Sequence, residues 1–181
     1  SATPQRTPNY PKPLTGLLLG HPRLEKGFDV AVDAAVELQK EIASGLLRIE
    51  FQTGTPQECE PEIRRAIERL KGLQHSLPGL ELFQGPLSEA DYTARLDAAD
   101  FLILPYRQYA YSQRSSGIMM EALALGKPAV VTRGLTFTSA PGFKACVVQC
   151  EDGDGQALAE SIRQLVRRFG ELKEQAEKVR I

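Results

Sequence analysis

Short apolar-rich runs alternate along this chain with longer stretches of helical periodicity. The runs are Gly16 to Gly20, Leu46 to Gln52, Leu80 to Phe83, Phe101 to Leu104, Pro128 to Thr132 and Cys146 to Val148, and their length predicts strands. Phe101 to Leu104 is wholly apolar, as expected of a strand covered on both faces. Phe28 to Ser44 carries Asp29, Asp33, Glu37, Lys40, Glu41 and Ser44 as one polar stripe, which predicts a mostly buried helix. Glu60 to Leu73 predicts an amphipathic helix. Ser88, with Asp91 three residues on, predicts a capping-box variant opening a helix to about Ala98. Asp154 suits the cap of a last helix from Gly155 to at least Phe169. Six strands alternating with helices predict an α/β fold, a Rossmann-like doubly wound parallel sheet in one domain. Pro4, Pro8, Pro11 and Pro13 mark residues 1–13 as a proline-rich linker, leaving 14–181 as the domain.

In the commonest doubly wound order, 3-2-1-4-5-6, ligands bind between strands 1 and 4, beyond their carboxyl ends. The loop after strand 1 carries Arg23 and Lys26, and the loop after strand 4 carries Gln113 to Gly117. Gln113 to Thr132, QRSSGIMMEALALGKPAVVT, reads as loop, helix start, helix, Gly-Lys-Pro stop and strand. Ser115, Ser116 and Gly117 put small residues and free N–H groups at the helix start, which suits either an ordinary N-cap or an anion site. Glu121, just over a turn on, is placed to accept from a ribose diol. It is otherwise a surface residue, although Met119, Met120, Ala122 and Leu123 around it are apolar. Arg23 and Lys26 suit a pyrophosphate, with two exposed loop cations as the plainer reading. Tyr106, Arg107, Tyr109 and Tyr111 suit either a sugar pocket or loop packing. Thr53 and Gly54 are candidates for the rim, and His21 reads as a structural loop residue.

These blocks resemble the donor-binding signature of family 4 glycosyltransferases, retaining, metal-independent enzymes of the GT-B fold. Glu121-Ala-Leu-Ala-Leu-Gly-Lys-Pro-Ala-Val matches the second half of that signature, while Gln113 stands where the family has its first Glu. Gly20-His-Pro-Arg23-Leu-Glu-Lys26-Gly27-Phe28 resembles the family's phosphate clamp, and Asp97 to Tyr106 resembles the strand leading into the site. The resemblance spans roughly residues 15 to 170, with the two main blocks about 90 residues apart. It implies a nucleotide-sugar donor (UDP-, GDP- or ADP-sugar) and no other cofactor. It assigns Arg23, Lys26 and Gln113 to catalysis. It also assigns Arg23, Lys26, Leu87, Gln113, Ser115, Ser116, Gly117 and Glu121 to donor binding, Leu87 through a loop that reads the base. It further implies a second, N-terminal acceptor-binding domain, since about 180 residues do not hold both halves of such an enzyme. The chain is thus expected to be a fragment that binds nucleotide without efficient transfer, or else a non-catalytic nucleotide-binding module of the same fold.

Composition narrows the alternatives. A net charge of −1 gives no general nucleic-acid or anionic-membrane surface. No apolar run approaches the ~20 residues that span a bilayer, and the opening SATPQRTPNYPKP lacks a signal-peptide core. Cys59, Cys146 and Cys150, with His21 and His75, form no zinc pattern, so reduced cysteines in the cytoplasm are expected, any membrane association arising through the absent domain. No GxGxxG follows strand 1, where Gly20-His-Pro-Arg stands instead, which disfavours a nicotinamide enzyme. A receiver domain is disfavoured too, because strand 1 lacks an acidic pair and strand 3 an acceptor Asp. Asp152-Gly-Asp154 has the form of a metal motif but directly precedes the last helix, where Asp154 has the simpler task of capping. No metal is expected.

Overall fold

The computed structural model describes residues 10–139 and 141–180. Its strands, β1 (Leu14–Leu18), β2 (Leu47–Thr53), β3 (Leu80–Gln84), β4 (Phe101–Leu104), β5 (Ala129–Thr132) and β6 (Val147–Cys150), form one wholly parallel sheet in the order β3-β2-β1-β4-β5-β6. The helices are α1 (Phe28–Glu37), α2 (Gln39–Ala43), α3 (Pro61–Gln74), α4 (Glu89–Ala98), α5 (Gln108–Tyr111), α6 (Gly117–Ala124), α7 (Pro141–Lys144), α8 (Gly155–Arg167) and α9 (Phe169–Lys178). This is the Rossmann-like fold and strand order that the sequence predicts, with the topology reversing between β1 and β4.

The pleat sorts the core into two layers. Leu14 and Leu18 of β1, Phe101 and Ile103 of β4 and Val130 of β5 join one buried cluster with α1, α3 and α8. Leu17, Leu102, Leu104, Ala129 and Val131 face the opposite cluster, shared with Met119, Ala122 and Leu123 of α6. At the β2–β3 end the second face is ionic. Arg95 of α4 bonds Glu50 at 3.0 Å and Glu81 at 3.1 Å, and its guanidinium lies 3.6 Å from the centre of the Phe83 ring. Arg48 pairs with the same two carboxylates. This accounts for the polar positions inside RIEF and LELF.

Several element starts follow their expected chemistry. Ser88 accepts from Asp91 N at 3.1 Å, and Asp154 accepts from Ala157 N at 2.9 Å. In place of the usual capping-box return to the backbone, Asp91 Oδ2 accepts from the Ser88 hydroxyl at 2.7 Å. Pro61 opens α3, where its missing N–H costs nothing.

Other boundaries move. β1 lies two residues earlier than expected, because Gly20 turns at φ +103 and Leu14 already pairs with Leu47. The predicted helix 28–44 bends at Leu38, where ψ relaxes to 10° while Ile42 N still bonds Leu38 O at 3.0 Å. The last helix bends at Arg168 and continues as α9, whose Leu172 and Ala176 are buried. Residues 1–9 of the expected linker lie outside the described residues. At its described end, Tyr10 Oη donates to Val166 O at 2.6 Å and its ring meets Phe169 edge-on.

One close approach sets the switch point. Gly27 has φ +70, and a methyl group on it would overlap the Pro105 carbonyl at the end of β4. Gly45 shares the left-handed backbone, at φ +76, but has open space around it. The two glycines therefore separate backbone strain from steric overlap. Gly45→Ala should cost about 1 kcal/mol, and Gly27→Ala about 2–4 kcal/mol, because overpacking adds to the same strain. Urea unfolding measures both, and equal losses would mean that the Gly27–Pro105 contact imposes no constraint.

Candidate functional site

The loops after β1 and β4 meet across this contact. Arg107 N donates to Glu25 O at 2.9 Å, joining the two loops through their backbones. Between them lies an open cleft of about 300 Å³, lined by Lys26 from one side and by Ser115, Ser116, Gly117 and Glu121 from the other, with Tyr92, Tyr106 and Tyr111 in its walls. Five of the residues assigned to donor binding thus share one cleft with two of the candidate pocket tyrosines, Tyr106 and Tyr111.

Gly117 and Glu121 lie on α6, and Ser115 and Ser116 directly precede it. Ser116 is the buried N-cap of α6, and its Oγ accepts from Met119 N at 3.2 Å. The N–H groups of Gly117 and Ile118, both lining the cleft, find no intrahelical carbonyl and give it positive potential. Ser116 Oγ also lies 3.5 Å from the hydroxyl of Tyr106, whose ring packs 4.5 Å from that of Tyr111. Burial pushes the Tyr106 phenol up to about 12, so it stays neutral and serves as wall.

Lys26 faces this helix start. Gly20 leaves the space it occupies, since a methyl group on Gly20 would lie 2.8 Å from Lys26 Nζ and 3.2 Å from Ile118 Cδ1. Gly20 is itself held through its N–H, which donates at 2.7 Å to Oε1 of Gln52, a buried side chain at the end of β2. Lys26 has no ion-pair partner among the described residues. Burial, and after it the charge of Arg23, push its ammonium below the ordinary lysine range, against a weaker pull from Glu25. Lys26 is therefore a half-buried cation beside a helix start, without the carboxylate that a structural ion pair would supply among the described residues.

Other predicted residues lie elsewhere. Arg23 lines a neighbouring pocket of about 320 Å³ with His21, Glu25 and the exposed ring of Tyr109, and pairs with Glu25 at 3.6 Å. Gln113 is exposed on the loop before α6 and is not in the lining of the cleft. Leu87 is half-buried against the second core layer and likewise lies outside that lining. Thr53 Oγ1 donates to Phe83 O at 3.2 Å and ties two strand ends together. The His21 ring lies within 3 Å of where a Gly54 methyl would be, a packing role.

Arg107 also turns away from sugar recognition. Its Nε donates to Asp152 Oδ1 at 3.0 Å, bracing the loop after β4 against the end of β6. Asp152 is thereby paired and Asp154 caps α8, so both carboxylates of the Asp-Gly-Asp segment have tasks in the fold.

The family model for glycosyl transferases group 1 matches residues 15–168. The chain belongs to that family. No curated protein matches it in sequence. Among solved structures it is similar to the C-terminal domain of a glycosyl transferase group 1 family protein, LpcC of Francisella tularensis, at 13% identity and TM-score 0.69, over 92% of this chain and 83% of that one. It is similar to WaaG, a glycosyltransferase involved in lipopolysaccharide biosynthesis, at 20% identity and TM-score 0.68, over 94% of this chain but only 42% of that one. A UDP-GlcNAc 2-epimerase of Neisseria meningitidis, at 21% identity and TM-score 0.62, shares the fold over 93% of this chain and 40% of its own. The fold is thus common to transferases and an epimerase, and membership of the group 1 family rests on the sequence match. Among the described residues no helix is long and apolar enough to cross a membrane.

For this group 1 domain the state of Lys26 yields a test of sign. Its folded pKa lies below that of the unfolded chain, so the unfolded state binds more protons across the interval between them, and stability rises with pH there. Relative to Lys26→Met, the unmutated protein should be least favoured at neutral pH and gain as pH climbs toward ~10.4. Thermal unfolding at a series of pH values measures this. A relative loss with rising pH would reveal a carboxylate partner for Lys26.

Proposed function

We propose that the chain is the donor-binding domain of a retaining glycosyltransferase that uses a nucleotide-diphosphate sugar and acts with a second, acceptor-binding domain. The observation that carries this reading is one cleft, at the switch point, holding an unpaired lysine, a helix start and a carboxylate one turn further on. Lys26 and the N–H groups of α6 hold the diphosphate, where charge develops as the glycosidic bond to the leaving group breaks. Arg23 approaches the leaving phosphate from the neighbouring pocket once it exchanges Glu25 for the ligand. Glu121 accepts from the ribose hydroxyls, the base lies toward Leu87, and the sugar extends toward Gln113 and Tyr109.

An uncharged, exposed Gln113 supports one second reading, a nucleotide-binding module without transfer. Activity of the chain joined to an upstream domain of its own protein separates the two.

Isothermal titration with UDP, GDP and ADP tests the nucleotide site, and no binding of any of them would count against it. Glu121→Gln should weaken the nucleotide that binds by about 1.5–3 kcal/mol, because a charged acceptor becomes neutral. Equal affinity of the variant and the unmutated protein would remove the ribose role. Donor binding should also be unchanged by EDTA or by added Mg²⁺ or Mn²⁺, since Lys26, Arg23 and the α6 start provide the positive charge. A tenfold loss on chelation, about 1.4 kcal/mol, would reopen Asp152 and Asp154 as metal ligands.

A further inference from the structure

Tyr92 belongs to none of the sequence blocks that mark the site. It projects from α4 into the wall of the cleft, and its Oη donates to Glu121 Oε2 on α6. Its ring is half-buried against the second core layer. Burial, and after it the bond to Glu121, push the Tyr92 phenol above the ordinary range, so it keeps its proton and remains a donor. Glu121 lies on an exposed part of α6 and has no other hydrogen-bond donor among the described residues. Without Tyr92 that side chain would have several rotamers to lose on ligand binding.

The stereochemistry of a carboxylate gives this bond a use. Two oxygens offer about four lone-pair positions, and Tyr92 takes one of them on Oε2. Oε1 accepts no hydrogen bond among the described residues, and the bond on Oε2 restricts the rotamers of the group. A vicinal diol needs two acceptor positions in a set geometry, whereas a single hydroxyl is satisfied by almost any rotamer. Orientation of Glu121 therefore matters more to a diol than to a lone hydroxyl.

We infer that Tyr92 is a positioning residue for ribose: it holds Glu121 in the rotamer that reads both hydroxyls, and so sets the preference for ribonucleotides over deoxyribonucleotides. This rests on the reading of the cleft as a nucleotide site. The test is titration of UDP, GDP and ADP, each against its 2′-deoxy counterpart, into the unmutated chain, Tyr92→Phe, Glu121→Gln and the double variant. The ribo-over-deoxy preference should shrink by about tenfold in Tyr92→Phe, the worth of one oriented bond to a charged acceptor. In the Glu121→Gln background the same substitution should leave the ratio unchanged. Phe keeps the ring, so a purely structural role would lower the melting temperature or both affinities together without moving the ratio, and that result would overturn the assignment. No binding of any of the three nucleotides to the unmutated chain would overturn the nucleotide reading and this inference with it. Binding with an unaltered ratio in Tyr92→Phe would overturn this inference alone.

Discussion

Everything at the carboxyl end of the sheet depends on how closely two backbones pass at the switch point. Gly27 lies against the Pro105 carbonyl with no room for a side chain, and Arg107 N reaches Glu25 O one step further along. Deeper in the sheet, Gly16 of β1 sits opposite Phe101 of β4, whose ring fills the space where a β-carbon would be. Two missing side chains on one strand-and-loop segment therefore let β1 and β4 come together with their loops in contact. Lys26, next to Gly27, is brought to the start of α6 by that contact. A helix start reached by no cation would be an ordinary capped end. The approach of the loops sets a lysine beside it.

Much of this is written plainly in the sequence. Six apolar runs alternating with helices give a parallel doubly wound sheet, whose commonest strand order is the one found, and caps at Ser88, Ser116 and Asp154 each rest on a hydroxyl or carboxylate within three residues of the N–H that it serves. Such features are local, so one window of sequence contains both partners. The residues that the sequence leaves unmarked have partners far away. Gln52 holds Gly20 from β2, 32 positions on, and Tyr92 reaches Glu121 across 29. Arg107 looks like a sugar ligand beside three tyrosines until the fold sets Asp152 next to it. For Gln52, which continues the alternation of its strand as an ordinary polar position, the sequence offers no signal. For Tyr92, on an exposed-looking helix, there was none.

The site runs against stability at Lys26. The core is apolar on both faces of β4 and β5, but Lys26 keeps a charge in a half-buried position beside another cation. A fold selected for stability alone would fill that space with an apolar residue or supply a carboxylate. Gly20, turned at φ +103 and tethered by Gln52, keeps the space open instead. Local departure from the most stable choice, supported by a buried residue behind it, is how functional positions differ from structural ones.

The two walls of the cleft are fastened to the sheet by different forces. Lys26 precedes α1, which buries six of its ten residues in the apolar core. Tyr92 stands on α4, which buries only Leu96 within its own length and is tied to the sheet in part by Arg95 bridging Glu50 and Glu81. Hydrophobic contacts change little with moderate salt, whereas partly exposed ion pairs are screened over about 8 Å at physiological ionic strength. The Lys26 wall of the cleft is thus anchored by apolar packing, and the Tyr92 wall is the one whose anchorage includes ion pairs that weaken as ionic strength rises.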